Sequence, residues 1–323
     1  MRRGRIAMES AELIRRLYES IGEACVTSPD IAHVEIHGNR VVGRHLVPGL
    51  KVEAEEAEDG VSAHIRVTRG TQIAEPVRIC FGILPEQGIQ RVRIRTDLEE
   101  GARAAVMASC TFPNAVDVLH EMEAETNIGP GAEYVYLERH VHSPAGGLRV
   151  VPHARIDLAE GARFRTDFEL LKGRVGQMEI RYRATVAAGA VLEMSARVSG
   201  RGDDRIAIEE QADLVGERAR AVLTTNIAVR EKARAEVKNV LRAKAAYARG
   251  HIDCKEIVRE QGYAEAIPVV EVEHPQAHVT HEAAIGSVDA KQLETLMARG
   301  LDEEAATDLI IEGLLSPTHP SST

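Results

Sequence analysis

The cysteines, which are the strongest candidates to hold a metal ion, are few and far apart in this sequence. The chain has four cysteines and no Cys-x-x-Cys pair, which argues against a zinc ribbon. His140 and His142 alternate, so they would share one face of a strand, but no third ligand accompanies this candidate metal pair. Cys25, Cys80 and Cys110 have no partner pattern and are interpreted as buried thiols.

Signatures of common catalytic sites are missing. No Gly-x-x-x-x-Gly-Lys-[Ser/Thr] phosphate loop occurs, so the chain is not predicted to bind ATP in that way. No Gly-x-Ser-x-Gly elbow occurs either. His281 and Glu282 could begin a His-Glu-x-x-His zinc motif, but Ile285 stands where the second histidine would be. We therefore expect a protein without an enzymatic site of its own.

The amino-acid composition further limits the fold and function that the chain can have. Only 3% of residues are aromatic, with no Trp and 4 Phe, so the core must be built from Val, Ile, Leu and Ala, which suits stacked layers. The formal net charge of −10 argues against nucleic-acid binding, which needs a basic surface. No apolar run approaches the ~18–20 residues of a membrane span. The few cysteines and the lack of a secretory signal favour the cytoplasm.

A repeat organises the centre of the chain. Gly-Ala pairs fall at Gly101, Gly131, Gly161 and Gly189, a period of about 28–30 residues, and looser echoes follow downstream. The segments between them alternate apolar and polar residues, as in 179–186. Because glycine tolerates a sharp turn and alanine can stack on alanine, each pair suits a corner between strands. We predict a mainly β protein, a right-handed parallel β-helix.

The remaining segments complete a four-part organisation. Residues 1–97 are predicted to hold an N-terminal helix (9–24) plus a β region, and residues 98–288 the parallel β-helix core. Asp289 and Asp302 are N-cap residues for two short helices separated by Gly300, which predicts a helical hairpin over 289–315. Residues 316–323 are predicted to be a disordered tail.

The repeat brings Cys254 close to the next coil. His281 and Glu282 follow it by 27 and 28 residues, which is nearly one period, and stacked strands lie only about 4.8 Å apart. Because side chains alternate along a strand, only one of the two can share the face of Cys254 within one chain.

The last 80 residues carry an ordered set of motifs that resembles the SufB/SufD family of iron–sulfur cluster assembly scaffold proteins. The motifs are 248–254 (ARGHIDC), 266–272 (AIPVVEV), 277–286 (AHVTHEAAIG) and 298–305 (ARGLDEEA). The chain looks most like the compact single-type subunits of archaea and anaerobic bacteria, which would pair as homodimers.

This resemblance implies a function. Two subunits would meet near the C-terminal end of their β-helices, and the C-terminal helices would bind SufC, an ABC-type ATPase that reshapes the dimer interface. A transient iron–sulfur cluster would form there, on Cys254, His281 and Glu282, and pass to apo iron–sulfur proteins. Bacterial SufB carries an interface cysteine near the position that Gly262 holds here, so Cys254 is the nearest replacement.

Three other functions are alternatives to a cluster scaffold. A structural or regulatory partner of the same ATPase, resembling SufD and carrying no cluster, is the main alternative. A polysaccharide lyase or hydrolase on a β-helix fits poorly, because the chain lacks Trp to stack on sugars. A left-handed acyltransferase would need a strict six-residue period that is missing.

Overall fold

The protein is mainly β, and its strands form one long solenoid. The structure, a computed structural model, describes the backbone of residues 2–316 and the side chains of residues 9–316. The predicted disordered tail lies outside the described residues, apart from Ser316. The helices are α1 (Arg2–Ile21), α2 (Ala290–Met297) and α3 (Glu303–Leu315). The strands are β1 (His33–His37), β2 (Arg40–His45), β3 (Leu50–Ala57), β4 (Gly60–Val67), β5 (Val77–Gly82), β6 (Gln87–Leu98), β7 (Arg103–Phe112), β8 (Asp117–Ile128), β9 (Glu133–His142), β10 (Leu148–Leu158), β11 (Arg163–Lys172), β12 (Gly176–Val186), β13 (Val191–Gly200), β14 (Arg205–Leu214), β15 (Arg220–Val229), β16 (Arg234–Ala243), β17 (Arg249–Val258), β18 (Tyr263–Val272) and β19 (His278–Gly286).

From β4 onward, successive strands alternate between two facing sheets. Sheet A has the order β19-β17-β15-β13-β11-β9-β7-β5-β1-β2, and sheet B has the order β18-β16-β14-β12-β10-β8-β6-β4-β3. All pairings from β5 onward are parallel, as are β1–β5 and β4–β6, while the antiparallel pairs β1–β2 and β3–β4 close the N-terminal end. The predicted parallel β-helix is therefore confirmed, with about eight turns.

The Gly-Ala pairs form the corners of the coils. The four glycines of the repeat have φ between 62° and 66°, a conformation that a residue with a Cβ adopts at a cost. In later coils the same corner keeps a positive φ at Arg218 and Tyr247, where the arginine lies 5.4 Å from the tyrosine ring. The alanines that follow, such as Ala162 and Ala219, are fully buried. The stacking of alanines at successive corners therefore explains why the Gly-Ala pair repeats in the sequence.

The core fills the space between the sheets. Inward positions alternate with outward ones, as in β13, where Leu192, Met194, Ala196 and Val198 are buried. This core is one continuous cluster from Ala32 to Cys254. Small branched side chains and alanine fill it, as the low aromatic content predicted.

Helices α1 and α3 pack on the outer face of sheet A, whereas α2 packs on α3. On α1, Leu17 is fully buried against Cys80 and Leu84. On α3, Ile311 and Leu315 pack on β15. The predicted helix caps are confirmed, since Asp289 accepts from the Gln292 amide and Asp302 from the Ala305 amide.

Within residues 2–316, no helix is long and apolar enough to cross a membrane.

Candidate functional site

The register of β17 and β19 places the three residues predicted as cluster ligands. Cys254 pairs with Ala283, and Ile252 pairs with His281, so the histidine lies two positions from the level of the cysteine on the neighbouring strand. Both belong to the inward-facing set of their strands. Glu282 pairs with Asp253 on the outward face. The structure therefore brings Cys254 and His281 to one face and leaves Glu282 on the other.

Cys254 is sealed inside the solenoid. It is 1% exposed, and the Asn239 side-chain amide donates to its sulfur at 3.3 Å. The same amide donates to the Thr225 hydroxyl at 3.0 Å. Burial raises the pKa of the Cys254 thiol to about 12, so the group is a neutral thiol at physiological pH. A thiolate ligand at this position requires the loss of that proton and access to a side chain that is buried here.

His281 and Glu282 are both exposed on β19. Their exposure follows from the end of the solenoid, because β19 is the last strand of sheet A in the described chain. Gly262 lies at the corner before β18, where an added Cβ would stand 2.8 Å from the Val229 carbonyl oxygen. A cysteine cannot occupy that corner unless the backbone shifts.

A second group of donors lies deep inside the N-terminal coils. The ligand atoms of Cys110, Glu138 and His140 all lie within 4.8 Å of one another. His140 Nε2 is 2.7 Å from Glu138 Oε1, and the Cys110 thiol is 3.8 Å from the same oxygen. All three side chains are at most 2% exposed.

Strand alternation and coil register build this group. Glu138, His140 and His142 are alternate residues of β9, so all three point inward. Cys110 on β7 pairs directly with His140, exactly one coil of 30 residues later. On the other side of His140, its Nδ1 is 3.0 Å from His142 Nε2. Register and alternation together make the cluster.

Burial controls the charge of these groups. It raises the pKa of the Cys110 thiol well above its ordinary value, with the charge of Glu138 adding to the effect. It also lowers the pKa of His120 to about 3 and that of His142 well below its ordinary value. The cysteine is therefore a thiol, and these two imidazoles are neutral.

Two further carboxyl groups face the interior, one on β14 and one on β17 beside Cys254. Glu210 is 2% exposed, and burial raises its pKa to about 8. Glu256 is equally buried, and burial, followed by the charge of Asp253, raises its pKa to about 7. A solenoid interior that carries so many titratable groups is unusual, because unpaired buried carboxyls are costly.

The sequence contains the signal for the Cys110 group. The prediction of a plain buried thiol at Cys110 and of a histidine pair without a third ligand at His140 and His142 does not use it. Glu138 stands two residues before His140, and Cys110 stands one full coil before it. Applying the 30-residue period to these positions would have assembled the group.

The fold and the two donor groups define a class of protein: parallel β-solenoids that carry thiol, imidazole and carboxylate groups on inward strand positions. The family described as SUF system FeS cluster assembly, SufBD core domain, matches residues 84–314. The chain therefore belongs to the SufB/SufD family of iron–sulfur cluster assembly proteins, as the resemblance predicted.

Individual relatives agree with this membership. An iron–sulfur cluster assembly SufBD family protein of Methanocaldococcus jannaschii is 32% identical over 313 residues, covering 95% of this chain and 99% of that protein. Another, from Pyrococcus horikoshii, is 34% identical over 285 residues, covering 88% of this chain and 87% of that protein. SufB of Bacillus subtilis is 23% identical over 261 residues, which is 78% of this chain and 55% of that protein.

Proposed function

We propose that this chain is a non-catalytic scaffold subunit for iron–sulfur cluster assembly, working in the cytoplasm as a homodimer with a SufC-like ABC-type ATPase. A nascent cluster forms transiently where two copies meet and then passes to apo iron–sulfur proteins. The observation that carries the proposal is the open last coil, where His281 and Glu282 stand exposed one strand beyond Cys254.

The strand edges of the last coil support pairing with a second copy. Within residues 2–316, the outer edges of β18 and β19 have no strand partner. Val272 is 50% exposed and Ile285 is 48% exposed on this coil. Exposed apolar edges attract other strands and are usually covered or blunted. A second copy offers the same edge, so a closed two-fold dimer satisfies both.

The dimer is tested by placing a charge on this edge. We expect Val272→Asp to convert a dimer to a monomer, because it buries a carboxylate at the seam. Light scattering after size exclusion measures the mass. Val222→Asp is the matched control, since Val222 is 39% exposed on β15, away from the edge. A monomeric parent protein contradicts the homodimer, and a dimer that survives Val272→Asp contradicts a seam at the last coil.

The helical hairpin supports a docking role for the ATPase. One side of α3 packs on β13 and β15, whereas every residue of α2 is at least partly exposed. Three apolar side chains remain on the outside of the hairpin: Met297 at 42%, Leu301 at 36% and Leu309 at 48% exposure. Exposed apolar groups clustered on one element suit a protein partner.

Docking is tested by copurification with the ATPase. Leu309→Asp should release the ATPase, because docking would remove the new carboxylate from water and place it in an apolar contact. Ile89→Asp is the control, since Ile89 is 51% exposed on β6 near the opposite end of the solenoid. Equal recovery of the ATPase with both variants contradicts docking on the hairpin.

The cluster is tested by anaerobic reconstitution of the full chain together with its ATPase. With iron and sulfide supplied, we expect the visible absorption of an iron–sulfur cluster, and we expect His281→Ala and Cys254→Ser each to reduce it. His278→Ala is the control, because His278 is an exposed histidine on the same strand. A chromophore that is unchanged in both ligand variants contradicts the ligand set.

A structural role without a cluster, like that of SufD, is the second candidate. The burial of Cys254 and the pKa of its thiol near 12 favour it, because the resting protein offers no thiolate at the end of the solenoid. A protein that binds the ATPase but gives no chromophore on reconstitution would identify this role.

A further inference from the structure

The group formed by Cys110, Glu138 and His140 combines the three donor types that bind first-row transition metals. We propose that it is a binding site for one divalent transition-metal ion, held inside the solenoid by a single chain. This inference goes beyond the proposed function, because the site needs neither a second copy nor the open last coil.

The distances fit an ion with small side-chain adjustments. Metal–sulfur bonds of about 2.3 Å and metal–nitrogen or metal–oxygen bonds of about 2.0–2.2 Å place tetrahedral ligand atoms about 3.3–3.6 Å apart. The observed separations are 2.7 Å for His140 Nε2 to Glu138 Oε1 and 3.8 Å for Cys110 Sγ to that oxygen. The ion would replace the hydrogen bonds that now join the three side chains.

Glu138 carries the independent sign that a ligand is expected. Its second oxygen, Oε2, is buried and has no hydrogen-bond partner within the described residues. An unpartnered buried carboxylate oxygen is costly, whereas coordination satisfies it. The carboxylate also lines a cavity of about 50 Å³, which is large enough for a water molecule. Hydroxyl-bearing side chains line the same cavity: Thr96, Thr126, Tyr134, Tyr136, Thr166 and Tyr182.

Neighbouring imidazoles support the site. His142 Nε2 lies 3.0 Å from His140 Nδ1, and a hydrogen bond donated by Nδ1 there would orient the ring and let His140 Nε2 bind a metal in place of its present contact with Glu138. The ring of His120 lies 6.0 Å from that of His140, and neither of its nitrogens has a partner among the described side chains and backbone. It provides a spare nitrogen donor next to the site.

Binding of the ion releases a proton from a ligand to the solvent. Cys110 is a neutral thiol in the metal-free protein, so coordination displaces its proton and leaves a thiolate on the metal. A thiolate with one imidazole and one carboxylate suits Fe²⁺, Co²⁺ and Zn²⁺ better than Mg²⁺ or Ca²⁺, which prefer oxygen ligands.

The test is a titration of the purified full chain with Co²⁺ without oxygen. We expect one equivalent to bind, with visible bands of four-coordinate cobalt and a sulfur-to-cobalt charge-transfer band in the near ultraviolet. Cys110→Ser should remove the charge-transfer band, and Glu138→Gln should weaken binding about tenfold or more. Cys80→Ser is the control, because Cys80 is equally buried but lies under α1.

The outcomes separate this site from the proposed cluster site. If the cobalt bands are missing, or if Cys254→Ser removes the charge transfer while Cys110→Ser does not, the inference is overturned. If the variants do not fold, X-ray absorption of the cobalt-loaded parent protein decides, since one sulfur at about 2.3 Å is expected. A cobalt site without sulfur overturns the inference as well. Reconstitution at the dimer seam can succeed or fail independently of either result.

Discussion

The carboxyl of Glu210 should make the protein less stable as the pH rises. Glu210 is 2% exposed inside the solenoid, and its Oε2 has no hydrogen-bond partner in the described chain. Burial raises its pKa from 4.5 to about 8. In the unfolded chain the carboxyl loses its proton near pH 4.5, whereas the folded protein keeps the proton until about pH 8. Its stabilising effect is therefore complete below pH 4.5 and is lost as the pH rises to 8.

The magnitude follows from this difference in pKa. Each pH unit between 4.5 and 8 lowers the free energy of unfolding by about 1.4 kcal/mol, which sums to about 5 kcal/mol over the window and about 3 kcal/mol at pH 7. Glutamine has nearly the same shape as protonated glutamate and does not ionise. Glu210→Gln should thus raise the free energy of unfolding at pH 7 by up to about 3 kcal/mol.

The assay is denaturant unfolding, followed by circular dichroism from pH 5 to 8. Glu256 contributes in the same direction up to its pKa of about 7, so the interval from pH 7 to 8 isolates Glu210. Glu209→Gln is the control, because Glu209 faces outward, 3.7 Å from the Lys238 ammonium, and should change stability by less than about 1 kcal/mol. If Glu210→Gln has the same pH slope as the parent protein between pH 7 and 8, the carboxyl is solvated and the reasoning is wrong.

Three further predictions concern the anchoring of α3, the corners and the Cys254 thiol. Arg197→Ala should lower the free energy of unfolding by about 3–5 kcal/mol and expose α3 to limited proteolysis, because Arg197 pairs with buried Asp167 and donates to the Leu315 carbonyl at 2.8 Å. The control, Arg139→Ala, removes an exposed arginine, and equal cleavage of the two variants would contradict this prediction. Ala162→Leu should lower the free energy of unfolding by about 1–3 kcal/mol, because the larger side chain overpacks the stack of corner alanines. Arg163→Leu, at the exposed position beside it, should not, and thermal melting of both variants tests this. A thiol reagent at pH 8 should label half-buried Cys25 well before Cys254, whose pKa is about 12. Peptide mass spectrometry measures the two labelling rates, and equal rates would contradict the burial of Cys254.

The solenoid was predictable because its signal repeats. This corner needs a residue that tolerates positive φ and a small side chain that stacks, so a Gly-Ala pair recurs at the same corner of four successive coils. Later corners keep the geometry with Arg218 and Tyr247, which is why their echo in the sequence is weaker. The hairpin helices were equally predictable, because Asp289 and Asp302 cap them locally.

Side-chain direction limited the prediction of the sites. Cys254, His281 and Glu282 were expected near one another, and the register does put them on neighbouring strands. Whether a given side chain points inward or outward depends on the exact register, since a one-residue change reverses the face. The sequence left open which of the two partners shares the face of Cys254, and the structure assigns His281.

The amino-acid sequence alone determined the architecture, the capped hairpin and the family, because these depend on local turn chemistry and on a period that repeats along the chain. Tertiary structure decided which donors meet and in what charge state. The meeting of Cys110 with Glu138 and His140 requires two strands to stack in one register. The high pKa of the buried thiols and of Glu210 requires removal from water, which only the closed coil provides.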